Sequence, residues 1–280
     1  MNAGANTMVG ARRIPASTLT SAMILGLLLI AAVLGPWLAP QDPGAQHLAD
    51  AALGPGADHW LGTDGLGRDV FSRLLDGTRH ALTGPLIVAA CTVVLATAVG
   101  LLAGFAGGWV DALVMRAIDL IYAVPPLLVA IVVVGVLGGS YPVTVGVLVV
   151  LTAPADIRMV RSAVLAQRGL PYVEAAVTLG VGRSRVMGRH LLPNVLPTVL
   201  TNGLLDFVTA LVALSALAFL GLGVQPGTPD WGLMLAENKD ILDLNPAATI
   251  VPAALITLAA ASVTVLGDGL YDRLAHREAR

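Results

Sequence analysis

Charged residues are missing from long stretches of this chain, and their absence constrains the fold more than any other sequence feature. Residues 14–41, 80–110, 120–155 and 244–267 hold no Asp, Glu, Lys or Arg, and residues 190–229 hold one, Asp206. A helix that crosses a membrane needs roughly 20 mostly apolar residues. The gap at 120–155 is too long for one crossing and is divided by the turn signal Gly138-Gly139-Ser140-Tyr141-Pro142. Six crossings follow, near 18–38, 83–105, 117–137, 142–160, 198–221 and 247–267. The fourth is the least sharply bounded, because Asp156 and Arg158 lie near its end. The runs are continuous and rich in Leu, Ala and Val rather than alternating, which points to helices and not to a barrel.

Composition excludes several other classes. Hydrophobic residues make up 56% of the chain and charged ones 12%, where soluble domains carry about 25% charged. A water-soluble monomer and a disordered chain are both ruled out. A net charge of −2 argues against a nucleic-acid partner. The single cysteine, Cys91, provides neither a disulfide framework nor a cysteine-rich metal site. His47, His59, His80, His190 and His276 show no ligand spacing, so no metal is expected on this chain. The one lysine, Lys239, sits in Glu237-Asn238-Lys239-Asp240 and not in a phosphate-cradling Gly-Lys-Ser/Thr loop. If ATP drives this protein, another subunit must hydrolyse it. No Gly-x-Ser-x-Gly elbow is present, which leaves an intramembrane enzyme as a weaker alternative. An ATP-independent channel or secondary transporter is the other.

Basic residues orient the bundle. With the N-terminus in the cytoplasm, the inner side carries Arg12, Arg13, Arg116, Arg158, Arg161, Arg168, Arg183, Arg185, Arg189, Arg273, Arg277 and Arg280. The outer side carries Arg68, Arg73, Arg79 and Lys239, as the positive-inside rule requires. Both termini then lie inside. The chain divides into a tail at 1–17, a first crossing with its outer loop at 18–80, a core with five crossings at 81–272, and a tail at 273–280. The apolar run after Arg12-Arg13 is about 20 residues, longer than the 7–15 of a signal-peptide core, and reads as an anchor.

Three hydrophilic stretches remain. The outer loop from Gln41 to His80 contains His59-Trp60-Leu61-Gly62-Thr63-Asp64-Gly65-Leu66-Gly67-Arg68-Asp69-Val70. Its glycines need unusual backbone angles or close approach. Val70, Phe71, Leu74 and Leu75 then share a helical face, with Asp69 and Arg73 at i,i+4 spacing. This predicts an interfacial helix leading into the second crossing. The loop is either simply solvated or a docking or gating element carrying Trp60, Asp64, Arg68 and Asp69.

The inner loop, about 161–196, contains Pro171-Tyr172-Val173-Glu174-Ala175-Ala176-Val177-Thr178-Leu179-Gly180-Val181-Gly182-Arg183-Ser184. Pro171 suits a first helical turn, Glu174 favours the positive end of the helix, and Gly180 and Gly182 stop it. Ser184 is placed to cap a second short helix ending before Pro193. Ala175 and Ala176 offer little side chain, so another surface can come close. The outer loop 222–246 is acidic, and the outer side as a whole holds ten acidic groups against four basic ones.

Two acids fall at membrane depth, where ionisable groups usually face a cavity or a partner. Asp206 lies nine residues past Pro197, roughly 13 Å along a helix, and either lines a path or pairs with a neighbouring helix. Asp119 is three residues from Arg116 and is expected to pair with it. Asp268 is expected to cap the sixth crossing.

Glu174-Ala175-Ala176, Gly180, His190 and Leu192-Pro193 resemble the EAA loop of binding-protein-dependent ABC importers. His59-Trp60-Leu61-Gly62-Thr63-Asp64, Gly67-Arg68-Asp69-Val70, Gly107-Gly108-Trp109-Val110-Asp111, Phe219-Leu220-Gly221-Leu222-Gly223-Val224 and Gly267-Asp268-Gly269-Leu270 resemble the C-type permease of the dipeptide, oligopeptide and nickel importers. Together these cover almost the whole chain. The resemblance implies an all-α membrane protein with the MetI-like type I importer fold, in the plasma (inner) membrane of a bacterial or archaeal cell. It implies a B-type permease partner, two ATP-binding subunits that hold ATP and Mg, and an extracytoplasmic solute-binding protein. It assigns ATPase coupling to Glu174, Ala175, Ala176, Gly180, Leu192 and Pro193, and no cofactor to this chain. There are departures. Leu214 stands where many peptide-type members have Glu. Asp206-Phe207-Val208-Thr209 keeps the Asp of a nickel-type pattern and lacks its His.

Overall fold

The computed structural model describes residues 16–278, with side chains through Leu270. Arg12, Arg13, Arg273, Arg277 and Arg280 of the charge count therefore fall outside the described side chains. The described chain is nearly all helix: α1 Ala16–Leu38, α2 Val70–Ala106, α3 Gly108–Ile121, α4 Pro126–Val136, α5 Tyr141–Arg168, α6 Pro171–Thr178, α7 Arg183–Val186, α8 Leu192–Phe219, α9 Trp231–Asn238 and α10 Ala247–Glu278.

Five of these helices are long and apolar enough to cross a membrane, and six crossings result if α3 and α4 count as one. Those two are bent by 79° relative to each other, so the single helix expected at 117–137 is replaced by two. The cause is local. Pro125-Pro126 interrupts the run, and a residue before proline is pushed out of the helical region. α10 runs on past 267, so Asp268 sits inside a helix and caps nothing. The interfacial helix expected after Asp69 begins at Val70 as predicted, but it is the first turns of α2 and not a separate element.

α2 is the central strut, packed against α1, α5 and α8. Gly100 and Gly104 allow its close approach to α5. A Cβ at Gly100 would fall 2.6 Å from the Cβ of Val160. Small residues at such positions let helix backbones meet in lipid. Asp119 does not pair with Arg116. It accepts from Arg158 of α5 at 2.7 Å, and Asp111 likewise pairs with Arg161. Inter-helix packing thus overrides the nearer i,i+3 partner.

The bundle has two distinct ends. Residues 39–69, the first turns of α2, α9 and residues 239–246 form a cap at one end. The α2–α3 turn, α6 and α7 form an elbow at the other, where Arg168 donates to the carbonyls of Gly104 and Phe105. The start of α1 and the later turns of α10 meet where Thr18 lies beside Gly269.

Candidate functional site

The elbow is built from residues 169–191, between α5 and α8. Pro171 opens α6, and Gly180, at φ +79°, ends it in a conformation that costs glycine nothing. The helix buries one stripe, Val173 and Ala176, against the core formed with Val160, Val164, Val186 and Leu191. Its other face stays open: Glu174 and Ala175 are exposed, and Leu179 is 82% exposed. The two alanines therefore differ. Ala175 leaves room for another surface, whereas Ala176, 6% exposed, is packed into this chain's own core. Tyr172 ties the elbow to both legs, donating to Gln167 at 2.6 Å and accepting from Asn194 at 3.1 Å.

Beyond Gly182, Ser184 makes no cap, because it lies inside α7. The backbone then passes through a π-helical turn, Met187–Leu191, directly into α8. Pro193 has no N–H to offer the carbonyl four residues before it, and the widened turn sits immediately upstream. Leu192 is half-buried and Pro193 exposed in the first turn of α8. A groove of about 500 Å³ runs along α6, lined by Phe105, Arg168, Glu174, Val177, Thr178 and Arg183.

The cap is organised by four charges. Arg68 and Arg73 both donate to Glu237 Oε2, at 2.7 and 2.8 Å. Arg68 Nε also donates to Asp64 Oδ2 at 2.6 Å. Asp64 in turn accepts from the backbone of Leu66 and Arg68. Two positive and two negative groups thus neutralise one another, with Glu237 alone partly open to solvent. Asp69 does not pair with Arg73. It caps α2 by accepting from Ser72 N at 2.8 Å and contacts His59 at 3.0 Å. Asn245 donates to the carbonyls of Leu61 and Thr63, and Trp231 Nε1 to that of Leu74. Gly67, at φ +73°, allows the loop to press on the His47 carbonyl. Burial pushes the Asp230 carboxyl up from its ordinary value, against the N–H groups of Leu233 and Gly232 and the nearby His80.

So the four outer residues singled out by sequence separate. Asp64, Arg68 and Asp69 are buried inside a knot that is anything but a solvated loop. Trp60 alone is open, 62% exposed, with its ring 5.0 Å from that of Phe71. Sequence reasoning missed Arg73 and Glu237 as partners, since 164 residues separate them.

Asp206 lies between the two ends, 8% exposed, against Asp156 of α5. A cavity of about 600 Å³ between α4, α5 and α8 is lined by Leu127, Leu151, Thr152, Val208, Thr209 and Val212. Asp206 is not among the lining residues; it precedes the first of them on α8, Val208, by two positions.

The family described as the inner membrane component of binding-protein-dependent transport systems matches residues 96–280. The chain belongs to that family. The N-terminal membrane domain of oligopeptide transport permease C matches residues 18–55. The chain is 35% identical to the probable D,D-dipeptide transport system permease protein DdpC of Escherichia coli K12, over 92% of this chain and 86% of that one. It is 36% identical to the glutathione transport system permease protein GsiD of Pectobacterium atrosepticum, over 89% and 83%. It is 37% identical to the di/tripeptide transport system permease protein DppC of Pseudomonas aeruginosa, over 89% and 84%. As a member of this family the chain is a multi-pass inner-membrane permease and not an enzyme.

Proposed function

We propose that this permease is the C-type half of the translocation path of an ATP-driven, receptor-dependent importer of small peptides. The elbow lies in the cytoplasm, together with both chain termini. There it carries the stroke of an ATP-binding subunit into α5 and α8. Glu174, Ala175 and Gly180 present and terminate the contacting helix, while Ala176 anchors it from behind. Leu192 and Pro193 start the leg that receives the motion. ATP and Mg bind the two partner ATPases, and a B-type permease completes the path. An extracytoplasmic solute-binding protein delivers the peptide to the cap, where Trp60 offers the open aromatic contact and the buried Asp64–Arg68–Arg73–Glu237 knot keeps that surface rigid.

One observation carries this reading. α6 is a short helix held by its own stripe, Val173 and Ala176, and by Tyr172, yet it leaves Glu174 and a nearly bare Leu179 facing outward. Exposing a large apolar side chain is unfavourable by about 25 cal/mol per Å², so that face suits a groove on another protein. The named substrates of the relatives, dipeptides and glutathione, support peptides as cargo. The distribution of arginines supports the orientation: Arg161, Arg168, Arg183, Arg185 and Arg189 all lie around the elbow.

Replacing Glu174 with Lys tests the coupling. Uptake of labelled dipeptide by cells carrying the complete importer should be lost, while the variant still inserts and co-purifies with the B-type permease. Undiminished uptake would refute the role of the elbow.

A further inference from the structure

Asp156 of α5 and Asp206 of α8 meet inside the bundle, 3% and 8% exposed. Asn202, one turn before Asp206 on α8, reaches Asp156, and the two carboxyl groups face each other across the seam between α5 and α8. Asn202 Nδ2 donates to Asp156 Oδ1 at 2.6 Å, and Asp206 Oδ2 is buried with no partner. Two like charges side by side in a low-dielectric bundle cannot both persist, and a single proton held by the pair removes one of them.

No cation among the described residues relieves them. Arg158, two residues on, points to the other side of α5, where it pairs with Asp119 at 2.7 Å and lies 5.2 Å over the Tyr122 ring. α2 faces the region with Thr92, which is bonded to Thr152, and with Val93 against Gly203. α10 meets α8 through Gly267 against Leu204, and the neighbouring Asp268 is exposed. The titratable or charged groups around the pair are thus Tyr122, Asp119 and Arg158, and the last two are spent on each other.

We propose that Asp156 and Asp206 hold one proton between them, and that this proton closes a rung joining the two legs of the elbow. The placement gives the rung a role. Asp156 lies twelve residues before the end of α5, and Asp206 fourteen after the start of α8, so each is roughly 20 Å from the elbow along its own leg. Among the described residues, the one side-chain hydrogen bond between α5 and α8 is the Asn202–Asp156 contact within this cluster. With the proton in place, both legs move as one body when the elbow is displaced. Without it, two adjacent carboxylates repel and the legs part. Asp156 and Asn202 are therefore positioning residues for the stroke, acting through the helices that carry it.

The rung rests on the importer reading for its purpose but not for its detection. Asp206→Asn places a permanent N–H donor where the proton sits and leaves the pair with the same net charge. In the full chain purified with its partner subunits, this variant should keep the thermal midpoint at neutral pH and sustain near-normal dipeptide uptake. The wild-type midpoint should fall as the medium becomes alkaline, because stability lent by a bound proton is lost as that proton leaves. The Asp206→Asn midpoint should not follow it. Asp206→Ala, which removes the acceptor and the proton site together, should lower the midpoint by about 5–10 °C and cut uptake about tenfold. An Asn variant as damaged as the Ala variant would overturn the proposal. So would a harmless Ala variant, or identical alkaline profiles for wild type and Asp206→Asn. If no peptide is taken up at all but the midpoints divide as stated, the rung stands and the importer reading falls.

Discussion

At the cap, Asp64, Arg68 and Arg73 turn inward and pair with one another and with the partly exposed Glu237. At the elbow, Glu174, Arg183 and Arg185 stand in the open with no ion pair among the described residues. The cap spends charge on its own rigidity, tying residues 61–73 to residues 227–245, distant in sequence, through hydrogen bonds that leave no freedom of register. The elbow holds itself with four buried apolar residues, Val173, Ala176, Val186 and Leu191, and one tyrosine, and leaves its charges for something else to use. A charge buried in an ion-pair network is poor material for binding, because any partner must first undo the network. An exposed charge on a helix that is otherwise well seated costs the fold nothing to give away.

Variants can break or sharpen that contrast. The largest effect on stability belongs to Glu237→Ala. Both arginines lose a shared acceptor, and Arg73, with no exposure at all, is left to share Asp64, 3.5 Å away, with Arg68, so that two buried positive charges face one negative. Breaking such a pair costs about 3–5 kcal/mol, so thermal unfolding of the purified chain should begin at the cap. Protease accessibility of residues 39–69 would show it, and an unchanged midpoint would mean the knot is ornamental. Next comes a paired comparison at the elbow. Ala176→Leu overfills the core behind α6 and should destabilise by about 1–3 kcal/mol. Ala175→Leu should leave the melting curve alone and still depress uptake, by obstructing the partner's approach. Equal effects in both assays would erase the distinction between the two alanines. The smallest change is Trp60→Ala, which removes an aromatic pair worth about 1 kcal/mol. It should register as weaker receptor binding in a pull-down rather than as misfolding.

Much of this architecture was legible in the spacing of charges. Five of the six expected crossings coincide with single long apolar helices, because hydrocarbon penalises any charge placed there, wherever the chain's other parts go; the expected crossing at 117–137 is instead the bent pair α3 and α4. Gly180 stopping α6, and the glycine-rich turn at 138–139, were equally plain. What the sequence concealed was pairing across distance. Asp119 chose Arg158 over Arg116, and Arg73 chose Glu237 over Asp69, because local spacing cannot weigh a partner that only the fold brings near. The bend between α3 and α4 had a visible cause, Pro125-Pro126, but an unbroken apolar run hid it. Of the candidate elbow, the motif residues were readable, while the division between open Ala175 and packed Ala176, and the Tyr172 clamp, depended on which face α6 turned to its neighbours.

The length of α2 has a mechanical consequence. Its 37 residues extend about 55 Å at 1.5 Å per residue, nearly twice the roughly 30 Å of hydrocarbon it traverses. One continuous helix, with Pro85 inside it, therefore has its first turns clamped in the charged knot and its last turn under the Arg168 side chain. A tilt imposed at either extremity must be felt at the other, so the two faces of the membrane are in contact through a single piece of backbone.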